Sequence, residues 1–306
     1  MVEDLPFSRT RELSLAEALA DALAHVPGYA RDDPEVELVR LPGGSVNCSY
    51  RVCTPVGRFV LRLSPGPDAW LTSDRSVERE LHARAAAAGI APHIVRADER
   101  DRWLITELVD GRLWTSADFA TAASLTRLGD TLRRLHAVPP PASGRFDLLE
   151  ALAAYASRIE SAAAGRPRGR LGHYLEEAAQ AWRTSGASQR PVAILHHDLH
   201  ASNLIESPDG LKLIDWECAA VSDPLLDIAC ILSYYEAARA YAPLLLKHSC
   251  LEAVTPPQLA AAVWLFELHT FLWYQERRLR LVPTEAELDA QQRLSVRVAR
   301  GIPQTL

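Results

Sequence analysis

Apolar and polar positions divide this chain into two stretches of different character. From Val36 to Leu108, short apolar runs alternate with turn residues. Residues Val36–Leu41, Ser49–Thr54 and Arg58–Leu63 read as three strands, separated by Gly43-Gly44 and by Pro55-Val56-Gly57. Leu61 and Leu63 share one face of the third strand, which turns Arg62 the other way. Residues Ser73–Ala88 are rich in Ala and charge, read as a helix, and stop at Gly89. His93–Ala97 and Trp103–Leu108 read as two more strands around the charged turn Asp98–Asp101. Ahead of them, Ser14–Ala24 reads as an amphipathic helix, with Ser14 as N-cap and Glu17 at the capping-box position.

After Gly111 helical patterns dominate. Ala117–His136, Leu148–Ala164 and Leu171–Trp182 precede a short β insert, and Pro224–Ala240, Pro257–Arg278 and Glu285–Ala299 follow it. The expected fold is therefore α+β and bilobal, with a small antiparallel sheet and one helix packed together, then a larger, mainly helical lobe. The expected domains are residues 1–110 and 111–306, and a chain of 306 residues exceeds the usual single core.

Composition narrows the partners. At 48% hydrophobic and 24% charged residues the chain is an ordinary globular one. A net charge of -6 argues against a nucleic-acid partner, which needs a basic face, and suits a cationic small substrate. Five cysteines, odd in number and without a Cys-x-x-Cys pair, fit a reduced cytoplasmic setting. Met1–Ala20 has no apolar core of a signal peptide, and no apolar stretch reaches the ~20 residues of a spanning helix, so no membrane partner is expected.

The densest chemistry lies in the insert. The apolar run Pro191–Leu195 leads into His196-His197-Asp198-Leu199-His200-Ala201-Ser202-Asn203, and Leu211–Ile214 ends in Asp215-Trp216-Glu217. An Asp, an Asn five residues on and a strand-end Asp form the minimal set for phosphoryl transfer from Mg-ATP. One carboxylate orients the attacking hydroxyl, while the amide oxygen and the second carboxylate hold magnesium. His196 and His200, four apart, would suit zinc only on one helical face, and this segment is a strand-to-loop connection.

This order of parts resembles the kinase-like fold of the aminoglycoside phosphotransferase and choline kinase superfamily, from Val36 to the end of the chain. The superfamily's catalytic loop, His-x-Asp-x-x-x-x-Asn, is matched by His196, Asp198 and Asn203. Its metal segment is matched by Ile214-Asp215-Trp216-Glu217, in the form seen in the bacterial thiamine kinase and choline/ethanolamine kinase branches. The resemblance implies ATP and Mg2+ as cofactors, Asp198 as the catalytic carboxylate, and Asn203, Asp215 and, for a second metal, Glu217 as ligands. It implies a phosphate-covering loop at Leu41–Asn47, with Gly43, Gly44, Ser45 and Asn47. Arg62 stands where protein kinases carry lysine, and its ion-pair partner is Glu78, in preference to Glu80. Glu107 and Val109 form the adenine-reading hinge. His196 braces the loop, His197 takes a position often held by Gly, and Asp227 anchors the loop from below.

In choline kinases aromatic rings hold the trimethylammonium head. Trp264, Glu267, Phe271, Trp273 and Tyr274 are the corresponding substrate candidates, and core packing of a long helix is the alternative. The expected activity is an ATP-dependent kinase acting on the hydroxyl of a cationic metabolite, most like thiamine or choline. The alternatives are an aminoglycoside-type phosphotransferase and a nucleotide-binding pseudokinase; the latter predicts loss of Asp198, Asn203 or Asp215, and all three are present.

Overall fold

The computed structural model describes residues 9–42, 47–64, 74–162 and 171–303. Gly43, Gly44 and Ser45 of the expected phosphate-covering loop lie outside the described residues.

The first half of the sequence pattern folds as a five-stranded antiparallel sheet. Strands β1 (Glu37–Arg40), β2 (Cys48–Thr54), β3 (Gly57–Leu63), β4 (Ile94–Ala97) and β5 (Trp103–Glu107) lie in the order β1-β2-β3-β5-β4. In the central strand, Arg62 is opposite Ser49 on one side and Leu104 on the other. Val52, Phe59, Leu61, Leu63, Trp103 and Ile105 bury one face against Ala22, Leu23 and Val26. That covering helix, α1, runs Arg9–Leu23 and starts before Ser14, which is thus an interior position and not the expected cap. The residues ahead of it (Arg9, Arg11, Glu12, Leu13) are good helix formers and simply extend the helix.

Helix α2 (Arg75–Ala87) is capped by Asp74, whose carboxylate accepts from the Ser76 amide. Its buried residues Leu81, Ala85 and Ala86 join a core with Ile194, Leu213 and Trp216 from the second half of the chain. By its packing, α2 is therefore fixed to the helical part, and its residue Glu78 sits between that part and the sheet.

The helical part is built around α8 (Pro256–Arg277), which buries residues on all sides and is surrounded by α4 (Leu148–Ala162), α5 (Leu171–Ser185), α6 (Leu225–Tyr234) and α9 (Glu285–Ala299). Two expected helices are broken. Ala117–His136 splits at Thr121 into a 3-10 turn (Ser116–Ala120) and α3 (Ala122–His136), because the Thr121 hydroxyl caps the Ser124 amide and takes an extended backbone. Pro224–Ala240 ends early, at extended Tyr235; a 3-10 turn (Glu236–Tyr241) and the unexpected α7 (Ala242–His248) follow.

The β insert comprises β7 (Ala193–Leu195), β8 (Leu204–Ser207), β9 (Gly210–Leu213) and β10 (Ala220–Ser222). β7 pairs with β10, and β8 lies between β9 and β6 (Arg112–Leu113). β6 and β10 span two and three residues, too short to leave a period in the sequence. Gly111, just before β6, is required by close approach: a Cβ there would overlap the Glu206 carbonyl oxygen and the Ile205 side chain. No helix among the described residues is long and apolar enough to cross a membrane.

Candidate active site

The insert delivers its polar residues at strand ends. β7 runs fully buried into His196 and His197, both of which are buried themselves. His197 has φ 63°, in the left-handed region. This is the physical reason a glycine suits the position; here a histidine accepts the strain and packs its ring against Phe146 and Phe266.

Two buried groups hold the loop. Asp227, on α6, accepts from the amides of His196 (3.3 Å) and His197 (2.8 Å) and from His136 Nε2 (3.0 Å). Burial alone would raise its pKa, but His136 and these amides hold it below the ordinary carboxylate value. His196 Nε2 donates to the Ile214 carbonyl (2.9 Å), and its Nδ1 accepts from the Asp198 amide (3.4 Å). Both ring nitrogens are engaged, so the ring is a brace between the two motifs and has no nitrogen left for a metal. Asp227→Ala strands two buried amides and is expected to cost about 2–4 kcal/mol of stability. Urea unfolding monitored by tryptophan fluorescence measures it; a loss below about 0.5 kcal/mol, the size of an ordinary surface substitution, would refute the anchoring role.

Asn203 donates its Nδ2 to both the carbonyl and Oδ2 of Asp198, at 2.9 Å each. This fixes the Asp198 carboxylate and leaves the amide oxygen of Asn203 with no hydrogen bond among the described residues. Burial raises the Asp198 pKa, with Glu217 adding to the rise; His196 and the hydrogen bonds of Asn203 and Tyr234 oppose it.

Asp215 has φ 63° and ψ 72°, a left-handed residue between β9 and the 3-10 turn Trp216–Cys218. Asp tolerates this region better than most side chains, at a cost of about 1–2 kcal/mol. The turn points successive residues to different sides: Trp216 goes into the core, while Asp215 faces Arg62 of β3 and Glu217 faces Arg75 of α2.

From β3 and α2 comes a ladder of charge. Glu78 meets Arg62 at 2.5 Å through Oε1 and Arg75 at 2.6 Å through Oε2. Arg62 then reaches Asp215 (3.4 Å) and Arg75 reaches Glu217 (3.5 Å). Asn47 donates to Glu217 Oε2 at 2.7 Å. Glu80 points elsewhere, to Arg84 and Ser143, so Glu78 is the residue that pairs with Arg62. Burial raises the pKa of Asp215 and of Glu217; Arg62 opposes both shifts, while each carboxylate also feels a neighbouring one.

Four carboxylates (Glu78, Asp198, Asp215, Glu217) thus face two guanidiniums, an excess of negative charge that a dication would neutralise. Among the described residues no cluster of three His, Cys, Asp or Glu side chains forms a ready metal cage. The donor set is instead two carboxylates and the open Asn203 oxygen. That suits a hard cation which completes its shell with water and phosphate oxygens.

At the far end of the sheet, Glu107 is exposed, its amide bonded to the His93 carbonyl, and the Leu108 amide is bonded to Arg58. The main chain of Val109 makes no hydrogen bond among the described residues.

The α8 candidates separate. Trp264 is fully buried, with its indole donating to the Val298 carbonyl, and Glu267 is buried in ion pairs with Arg239 and Arg297. Both therefore belong to the interior, because α8 is covered on every side along that length. Phe271 and Trp273 pack on the second core cluster. Tyr274 lies within the electrostatic reach of Asp198, and its ring meets Trp273 edge-on at 4.9 Å.

Other rings surround Asp198 more closely. His200 approaches its Oδ1 at 3.7 Å and stacks on Tyr234 at 3.9 Å; Tyr234 in turn meets Phe266 at 5.6 Å. Sequence reasoning missed Tyr234 as a site residue. The available signal was Tyr234's place two helical turns after Asp227, on the same face of α6.

Residues 37–264 match the phosphotransferase enzyme family APH. A thiamine kinase of Escherichia coli (strain SMS-3-5 / SECEC) is 28% identical over 174 residues, 57% of this chain and 58% of that protein. The chain thus spans little more than half the length of the curated relatives it matches. A choline/ethanolamine kinase family protein from Mesorhizobium loti superposes with a TM-score of 0.74 at 20% identity, covering 94% of this chain and 93% of the other. A choline kinase from Streptococcus pneumoniae does so with a TM-score of 0.72 at 19% identity, over 96% and 100% of the two chains. These likenesses establish the fold as α+β and kinase-like.

Proposed function

The chain belongs to the phosphotransferase enzyme family, and from that premise we propose that it is an ATP-dependent kinase for the hydroxyl of a small cationic alcohol of the thiamine or choline class. The observation that carries this reading is the Asp198–Asn203 pair beside Asp215 and Glu217, which two arginines meet from β3 and α2. The boundary between the two lobes is placed at Asp110-Gly111.

In this reading Asp198 accepts or orients the proton of the substrate hydroxyl, whose oxygen attacks the γ-phosphorus in line as ADP leaves. Positioning matters more than basicity for a loose phosphoryl-transfer transition state, and Asn203 supplies it by pinning the carboxylate. Asn203, Asp215 and Glu217 would hold magnesium, which neutralises charge on the phosphates. Arg62, kept in place by Glu78, binds phosphate oxygens, and the main chain of Val109, next to Glu107, reads the adenine.

The cationic preference rests on the rings of His200, Tyr234 and Tyr274 beside a single carboxylate, a setting that attracts one positive group. An aminoglycoside carries several ammonium groups. The acids of α8 are already taken, Glu267 by Arg239 and Arg297, and Glu276 by Arg158. A pseudokinase would have no use for the assembled Asp198, Asn203 and Asp215.

A screen of ADP release with thiamine, choline, ethanolamine and an aminoglycoside tests the substrate class. Thiamine or choline should raise release at least about tenfold over ATP alone, a difference of ~1.4 kcal/mol in barrier. Stimulation by the aminoglycoside alone would move the assignment to that branch. Tight ATP binding with no stimulated release by any alcohol would favour the pseudokinase.

A further inference from the structure

Arg75 is three residues before Glu78 on α2, and in sequence it reads as an ordinary i,i+3 helical ion pair. Its surroundings give it more to do. The guanidinium is largely buried, its tight contact is with Glu78 at 2.6 Å, and the same Nη1 lies 3.5 Å from Glu217 Oε2. Its Nη2 lies 3.4 Å from Asn47 Oδ1, at the C-terminal end of the Leu41–Asn47 loop expected to cover the phosphates. Glu217 is held only through Oε2; its Oε1 makes no hydrogen bond among the described residues. Arg75 therefore has one firm hold, on its own helix, and two long ones that reach across to the metal-site carboxylate and the phosphate loop.

A dication taken up by Glu217 would sit about 2 Å from a carboxylate oxygen and within several ångströms of this guanidinium. Like charges at that range repel strongly in a partly buried site. The same cation brings nucleotide phosphates, which attract a guanidinium in bidentate fashion. We propose that Arg75 is an exchangeable counter-cation of the metal site: it holds Glu217 while no dication is bound and exchanges it for nucleotide phosphate oxygens when one arrives, pivoting on Glu78.

Arg75 is thereby a positioning residue that couples metal and nucleotide binding, and this inference rests on the proposed reading of Asp215 and Glu217 as metal carboxylates. Two equilibrium measurements test it without turnover. The first is Mn2+ binding to the nucleotide-free protein, read from the electron paramagnetic resonance of free Mn2+. The second is ADP binding at saturating Mg2+, read by calorimetry. Arg75→Met should bind Mn2+ about fivefold more tightly, the size expected on removing a loosely held ion pair that competes for the carboxylate. It should also bind ADP at saturating Mg2+ about tenfold more weakly, since a charge-assisted contact is lost.

Arg75→Gln also removes the charge, should show the same two changes and carries the test if Arg75→Met does not fold; Arg75→Lys keeps the charge and should bind Mn2+ as the wild type does. Unchanged or weaker Mn2+ binding in Arg75→Met, or unchanged ADP binding at saturating Mg2+, overturns the proposal and leaves the metal reading intact. A wild-type protein that binds no Mn2+ at all overturns the metal reading itself, and this inference with it.

Discussion

Asp198→Ala should lower kcat by about 10²- to 10⁴-fold, the usual worth of a positioned acid–base group, while ATP affinity stays nearly unchanged. The separation follows from where the carboxylate is held. Asp198 is fixed by Asn203, Tyr234 and His196, whereas the arginines stand on β3 and α2 and meet Asp215 and Glu217. On the proposed reading, removing it takes nothing from the phosphate grip and everything from the hydroxyl's orientation. Initial rates with varied ATP separate kcat from KM, and survival of kcat would refute the assignment. The same burial gives the pH dependence its sign. The charged carboxylate is the working form, so activity falls as pH drops through its pKa. Because that pKa is raised, the fall begins at a higher pH than for an ordinary aspartate.

Asp215→Ala should fail differently. Its expected effect is the loss of metal-dependent nucleotide binding, a weakening of Mg-ATP affinity by about a hundredfold or more. That lies at or beyond the 10–100-fold that removal of a merely supporting contact costs at a metal site. Asp215 is placed by a left-handed turn that the chain accepts at some expense, and it faces Arg62. Binding titrations with and without Mg2+ read the effect directly. Retention of tight Mg-ATP binding would show that the carboxylate pairs with Arg62 and does nothing more.

The contrast between these two residues shows what the sequence could reveal. Asp198, Asn203 and Asp215 stand within one short span, so local spacing sufficed to propose them together. The Arg62–Glu78 pair was also within reach, since an alternating strand turns Arg62 away from Leu61 and Leu63, and a helix follows it. The left-handed backbone of His197 became intelligible only in three dimensions, because a histidine in a glycine's place carries no pattern of its own. On α8 the composition misled: Trp264 and Glu267 look like a cation-binding pair, but helices packed all round that segment make them core and ion-pair residues. Tyr234 and Phe266 come from different helices and meet over the loop only through tertiary packing, which no local period records. The break after Tyr234 was hidden for a similar reason, since the residues beyond it are as helix-compatible as those before.

The central claim is that this site moves a phosphoryl group from ATP to an alcohol. Mass spectrometry of thiamine and choline after incubation with the protein and Mg-ATP tests it most directly. The account predicts a phosphomonoester of at least one of them, formed in step with ADP and absent with Asp198→Ala. ADP formed with every acceptor unmodified, or the same ester formed at full rate by Asp198→Ala, would contradict it.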